Sequence, residues 1–235
     1  NDPEHIYNGN DGGMDISTNG GIYSTKAEGL PITQFYTCEI DYSFPERLYG
    51  GTQDNSPMRT MTGSENDWEI IYGGDGFYTL VDPHNNTYVY TEYQYGNFVR
   101  STDGGNSFTY AMDGIATGDR KNWNTPVVFN PSNPSELFYG ANRLYKTTNR
   151  AESWEAISPD LTDGEGTGNL TFGTITTISV SALNEDIIIT GTDDGNVNIT
   201  TDGGTNWNNI SNELPKRWVT SVATSAIEEN TIYVT

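Results

Sequence analysis

Apolar and polar residues alternate with a period of two in short runs along most of the chain, and clusters of Asn, Asp, Gly, Ser and Thr separate those runs. This pattern predicts many short strands joined by tight turns. The apolar runs Thr125-Pro126-Val127-Val128-Phe129 and Ile175-Thr176-Thr177-Ile178-Ser179-Val180 read as strands, and so does Asn97-Phe98-Val99-Arg100-Ser101.

The strands recur in register. An aromatic or aliphatic pair ending near glycine appears around Tyr7, Tyr49, Tyr90, Tyr139, Ile189 and Tyr233, at spacings of 42, 41, 49, 50 and 44 residues. A unit of that length with four short strands is the signature of a propeller blade. The expected fold is therefore all-β: a β-propeller of four-stranded antiparallel blades with Asp-box-like turns, about five of them with a sixth begun, as part of a larger propeller in a longer parent chain. Residues 1–235 form a single propeller region with blades near 1–30, 31–72, 73–118, 119–168 and 169–213 and a partial blade at 214–235. Within a blade the apolar run is expected innermost and the Tyr-Gly strand second. Runs such as 97–101 come third, and the segment after each turn aromatic lies outermost.

A second landmark follows each marker. Ser17-Thr18-Asn19-Gly20-Gly21, Ser101-Thr102-Asp103-Gly104-Gly105, Thr147-Thr148-Asn149-Arg150 and Thr200-Thr201-Asp202-Gly203-Gly204 are turn sequences, and three of them lead to an aromatic, Phe108, Trp154 or Trp207, five residues after the Asp or Asn. The Asp or Asn side chain can accept from the amides of its own turn, paired glycines supply positive φ, and the aromatic caps the hairpin. Asn149-Arg150-Ala151 lacks both glycines, and Thr62-Gly63-Ser64 before Trp68 is shorter still, so looser turns are expected there.

The Ser-Thr-Asp-Gly-Gly-Asn-Ser-Phe and Thr-Thr-Asp-Gly-Gly-Thr-Asn-Trp segments resemble Asp boxes, also called BNR repeats. These occur in sialidases, sortilin-like receptors, xyloglucanase-type glycoside hydrolases and many secreted bacterial proteins. The run from Asn130 to Gly140 is also similar to blade connections of the sortilin-like and xyloglucanase-like branch. The resemblance spans the chain as a repeat and implies architecture more than activity. It also implies a secreted or cell-surface location.

Charge narrows the partners. Thirty-two acidic residues against eleven basic give a formal charge of −21, which repels phosphate backbones and anionic membrane surfaces. Nucleic acid is therefore excluded as an expected partner, and no apolar run is long enough for membrane insertion by a helix. Fifteen Tyr, eight Phe and five Trp suit aromatic-rich strands rather than a helical bundle. The one cysteine, Cys38, forms no intrachain disulfide and is expected to be a buried small hydrophobe. The N-terminus shows no signal segment and Tyr233-Val234-Thr235 ends in a strand-like run. These features read as an internal piece whose parent chain is itself a partner.

The loops opposite the Asp-box turns carry the candidate chemistry. Asp54, Asp75, Tyr93, Tyr95, Trp123, Arg143, Asp193 and Trp218 would place carboxylates, a guanidinium and exposed rings on one face, suited to a glycan or a protein partner. The same residue types are ordinary turn formers. Asn10-Asp11-Gly12-Gly13-Met14 looks like the loop that holds a catalytic carboxylate in xyloglucanase-type enzymes, which would carry that role onto Asp11. A glycosidase needs a second carboxyl, for which Asp54, Asp75 and Asp193 are candidates. A binding or structural module is the first reading and a polysaccharide hydrolase the alternative. Sialidase is disfavoured because the Leu30-Pro31-Ile32 segment lacks the family's arginine. No cofactor is expected; Asp193 and Asp194 offer oxygens to calcium but do not match an EF-hand loop, and His5 and His84 have no zinc-site spacing.

Overall fold

The computed structural model describes residues 2–10, 13–25, 33–166 and 172–235, and among them every regular element is a strand. Six antiparallel sheets follow one another along the chain. The first has three strands, β1 (Ile6–Asn10), β2 (Gly13–Ser17) and β3 (Tyr23–Thr25). Four four-stranded sheets follow. They comprise β4 (Phe35–Ile40), β5 (Leu48–Thr52), β6 (Ser56–Thr60) and β7 (Glu69–Ile70), then β8 (Thr79–Val81), β9 (Val89–Tyr93), β10 (Asn97–Ser101) and β11 (Thr109–Tyr110). Next come β12 (Val127–Asn130), β13 (Asn133–Gly140), β14 (Leu144–Thr147) and β15 (Glu155–Ala156), then β16 (Ile175–Val180), β17 (Ile188–Thr192), β18 (Val197–Thr200) and β19 (Asn208–Asn209). A two-stranded sheet, β20 (Val222–Thr224) and β21 (Ile232–Val234), comes last. Each four-stranded sheet is a meander in chain order, the blade of a propeller.

The core lies in the seams between consecutive sheets, because each sheet buries both faces against its neighbours. Tyr49, Val81 and Val89 fill the seam between the second and third sheets. The next seam is largely aromatic, with Tyr90, Phe98, Tyr139, Tyr145 and Trp154. Phe138, Leu144, Ile175 and Ile188 fill the one after it, and Ile189, Val197, Val219 and Val222 the last. Cys38 departs from expectation: it is exposed, on a strand, β4, that is nowhere fully buried.

Each third strand ends in a buried Ser or Thr that organises the turn to the fourth strand. Ser101 Oγ donates to Asp103 Oδ1 at 2.7 Å and accepts from Gly105 N at 2.8 Å. Asp103 Oδ1 in turn accepts from the Ser107 amide at 2.9 Å. Thr200 and Asp202 repeat this with Gly204 N and Asn206 N, and Ser17 and Asn19 with Gly21 N and Ile22 N. Thr147 and Asn149 do the same with Ala151 N and Ser153 N although glycine is missing. Arg150 and Ala151 adopt φ of 56° and 60°, where the third sheet uses Gly104 and Gly105 at 74° and 85°. The turn is thus as fully bonded as the others, with the strain of two left-handed non-glycine residues. In the second sheet, too, the turn is tied rather than loose. Thr60 Oγ1 donates to Asp67 Oδ1 at 2.5 Å and Thr62 Oγ1 to Asp67 Oδ2 at 2.7 Å, so the carboxylate comes from the far end of the turn.

Hydroxyl bonds from Ser107 first, then Ser101, hold the Asp103 carboxyl well below the usual aspartate value of 3.8. A depressed folded value contributes stability above the unfolded value, and that contribution is lost as pH falls through the folded one. The gap in thermal midpoint between wild type and Asp103→Ala should therefore be wide at ~pH 6 and narrow on acidification toward ~pH 2. An unchanging gap in a melting series would remove the charged turn as its source.

These turns also join blades. Arg59 Nη1 on β6 donates to the Gly104 carbonyl oxygen at 2.5 Å and Arg100 Nη1 on β10 to that of Arg150 at 2.6 Å. The turn aromatics reach the other way: Trp154 Nε1 donates to Ala111 O at 2.8 Å and Trp207 Nε1 to Ile157 O at 3.0 Å. A second repeated cap sits at the first-to-second-strand turns. Asp41, Asp82, Asn130, Ser181 and Ser225, all buried, each accept from amides two or three residues on and stand seven residues before β5, β9, Leu137 of β13, β17 and β21.

Candidate functional site

In a meander, the first-to-second and third-to-fourth turns share one end of the sheet. The second-to-third turns and the crossings to the next blade share the other end, and that loop face carries Tyr95 and Trp123. Tyr95 occupies the turn between β9 and β10 at φ 62°, an unusual conformation for a bulky residue, and is 49% exposed. Its ring meets Trp123 edge-on, with centroids 5.0 Å apart and planes at 90°. The Tyr95 amide donates to the Trp123 carbonyl oxygen at 3.1 Å, fixing the two loops together. Trp123 packs in turn on Phe77 at 5.8 Å.

A tyrosine cluster stands beside this pair. Tyr93 stacks on Tyr72 at 6.1 Å, and its phenol lies 2.9 Å from that of Tyr110. That bond first, with burial second, pushes Tyr93 up to about 12. Tyr110, on the outermost strand β11, was not among the residues expected on this face. Asp75 Oδ1 accepts from the Asp54 amide at 3.0 Å, so these two expected residues are neighbours.

Other candidates serve the scaffold. Arg143 Nη2 donates to Asp119 Oδ1 at 2.8 Å, and Tyr145 Oη donates to Asp119 Oδ2 at 2.5 Å. Arg120 links the next loop, through Asp160 Oδ2 at 2.7 Å and the Gly173 carbonyl oxygen at 3.0 Å. Asp193 lies beneath the face rather than on it. It is 2% exposed, and its carboxylate accepts from the amides of Thr174 at 2.8 Å, Gly173 at 3.1 Å and Phe172, because the crossing into β16 needs acceptors there. Asp194 accepts from Thr192, from Asn196 Nδ2 at 3.0 Å and from Asp163 N at 2.6 Å. Among the described residues no three His, Cys, Asp or Glu side chains gather as a metal site. Trp218 is exposed on the crossing from β19 to β20. Asp11 lies outside the described residues. Of the turn residues on the opposite end, Asn19, Asp103, Asn149 and Asp202 are exposed, Phe108 packs on Tyr72, and Trp154 is buried.

No protein-family model matches the chain, and no curated protein matches it in sequence. Solved structures do match in shape. The GH74 xyloglucanase from Xanthomonas campestris superposes with a TM-score of 0.66 at 12% identity, over 99% of this chain and 42% of the enzyme. An ancestral GH74 enzyme gives 0.65 at 17% identity, over 96% of this chain and 32% of the enzyme. Sqt1 from Chaetomium thermophilum gives 0.57 at 11%, over 94% of this chain and 59% of that one. The chain spans less than two thirds of each. At these identities the likeness is one of fold, and the fold is a β-propeller.

Proposed function

We propose that the loop face is the recognition surface of a secreted or cell-surface module and that its ligand is a glycan. The observation that carries this reading is the Tyr95–Trp123 pair. A half-exposed ring at positive φ, held against a second ring by a backbone bond, is a prepared apolar face of the kind sugar rings stack on. Asp54 and Asp75, tied together through the Asp54 amide, add carboxylates suited to sugar hydroxyls. The turns at the opposite end are assigned as Asp boxes, supported by the shared Ser/Thr–Asp/Asn bonding, and their part is to hold blades together. Two of the similar structures are GH74 enzymes, one named a xyloglucanase, which makes xyloglucan the first glycan to test.

The test is binding of xyloglucan oligosaccharides and a wider glycan array, with reducing-end release measured alongside. Trp123→Ala is expected to weaken retention about tenfold or more, since a stacked aromatic anchor carries a large share of such binding. Equal retention by wild type, Trp123→Ala and Tyr95→Ala, or no glycan retained at all, would sink the proposal. Release that depends on Asp11 would instead make hydrolysis the activity.

A further inference from the structure

One blade breaks the repeat at a buried position. Pairing with the third strand aligns Tyr49 with Arg59, Tyr90 with Arg100, Phe138 with Lys146 and Ile189 with Ile199. Two residues beyond those positions stand Gly51, Glu92, Gly140 and Gly191. The glycines have a steric cause, because the next blade crosses there at contact distance. A Cβ at Gly51 would lie 1.9 Å from the Phe77 carbonyl oxygen, at Gly191 2.3 Å from Val219 Cγ1, and at Gly140 2.9 Å from Ile175 Cγ2. In the third sheet the same seam encloses a glutamate with 0% exposure, and neither carboxyl oxygen has a hydrogen-bond partner.

The surroundings do not neutralise an ionised carboxylate. The titratable groups facing it are phenols, Tyr78 from the segment entering β8 and Tyr139 from β13. Lys121, the cation nearest along the crossing segment, donates to the Asp119 carbonyl oxygen at 3.2 Å. Burial holds Glu92 well above the usual glutamate range. The amides of Tyr78 and Thr125 offset part of that cost without reaching hydrogen-bond geometry. A buried acid so placed keeps its proton, and ionising it requires water to enter the seam.

The seam lies directly under the aromatic pair. Glu92 precedes the Tyr93–Gly96 turn by one residue, and the segment over it, 122–125, carries Trp123. That segment is held by Thr125 Oγ1 to the Asn122 carbonyl oxygen at 2.9 Å and by Asn122 Nδ2 to Thr174 Oγ1 at 2.9 Å. We propose that Glu92 is a proton-operated latch: while protonated it lets segment 122–125 close over β9 and press Trp123 against Tyr95, and when it ionises the segment lifts and the rings part. A surface built this way changes shape with the pH of its surroundings.

The test follows Trp123 emission and near-ultraviolet circular dichroism from about pH 5 to about pH 9, the span over which buried glutamates titrate. Wild type, Glu92→Gln, Glu92→Gly and Trp123→Phe are compared. A reversible transition is expected in wild type, its emission component lost in Trp123→Phe, with both signals flat in Glu92→Gln. An infrared band of a protonated carboxyl at neutral pH should be present in wild type and gone in Glu92→Gln. A raised folded value means the native chain binds more protons than the unfolded one. The contribution of Glu92 to stability is then fully present below about 4.5 and is lost as pH rises through its raised folded value, so the lead of Glu92→Gln in thermal midpoint should grow with pH. The same transition in Glu92→Gln, or a wild type with neither transition nor band, overturns the proposal. If Glu92→Gln does not fold, Glu92→Gly, the residue of the other blades, decides in its place. The rings themselves are the readout, so the result is independent of whether a glycan binds.

Discussion

Trp154→Ala is expected to lose about 3 to 5 kcal/mol of stability, the range for removing a large buried aromatic. The ring is 5% exposed and packs within 6 Å of two others, with centroids 5.9 Å from Phe98 and 5.8 Å from Tyr139. Its indole N–H satisfies the Ala111 carbonyl of the preceding blade, so truncation opens a cavity and also strips a buried acceptor. Trp207→Ala supplies the comparison. It makes the same bond to Ile157 from a half-buried position, and its loss should be smaller, about 2 kcal/mol. Urea unfolding followed by far-ultraviolet circular dichroism measures both. Equal midpoints for Trp154→Ala and wild type would show that the seam between the third and fourth sheets does not depend on this ring.

The seams explain what could be read in advance. The Tyr-Gly markers and the Asp-Gly-Gly turns were legible because each is set by local chemistry: alternation for the strand, side-chain acceptors and positive φ for the turn. The order of strands within a blade follows from the same signals. What escaped was whatever depends on contacts that no fixed sequence spacing announces. Asp67 completes the second turn from the wrong end for the pattern, since an acceptor can reach the same Thr60 hydroxyl from either side. Tyr110 joins Tyr93 across two strands, a contact with no sequence spacing of its own. Asp193 reads as a loop carboxylate, yet the amides it receives belong to residues 172–174, some twenty positions earlier. Glu92 is the last buried residue of β9, where only comparison with Gly51, Gly140 and Gly191 reveals it as a departure. The cap seven residues before each second strand was present in the sequence all along; it is obscured because Asp, Asn and Ser fill it interchangeably.

That interchange provides the last expected result. Asp82→Ala should destabilise the protein by about 2 to 4 kcal/mol, because it deletes a buried turn acceptor and the buried half of a charge-assisted hydrogen bond to the part-exposed Arg150. Asp82 is fully buried, and its Oδ1 accepts from the amides of His84 at 2.8 Å and Asn85 at 3.1 Å. Its Oδ2 accepts from Arg150 Nε at 3.2 Å, which binds the first-to-second-strand turn of the third sheet to the strained turn of the fourth. Alanine leaves the His84 amide without its acceptor, the Asn85 amide with only the Asp82 carbonyl oxygen at 3.2 Å, and the part-exposed Arg150 guanidinium without its carboxylate, and Arg150 also loses the contact that helps hold it at φ 56°. Asp82→Asn is the discriminating variant, because the fourth sheet already uses Asn130 at the equivalent position to accept from the Ser132 amide. An amide oxygen keeps the cap and gives up only the charge, so its effect should be about 1 kcal/mol. If asparagine proves as damaging as alanine, the charge on Arg150 is what the site serves; if both are mild, the turn is held by its backbone alone and the cap is incidental. The expected order, alanine far worse than asparagine, would establish that the blades are joined through a repeated acceptor whose chemical identity is free so long as an oxygen faces the turn.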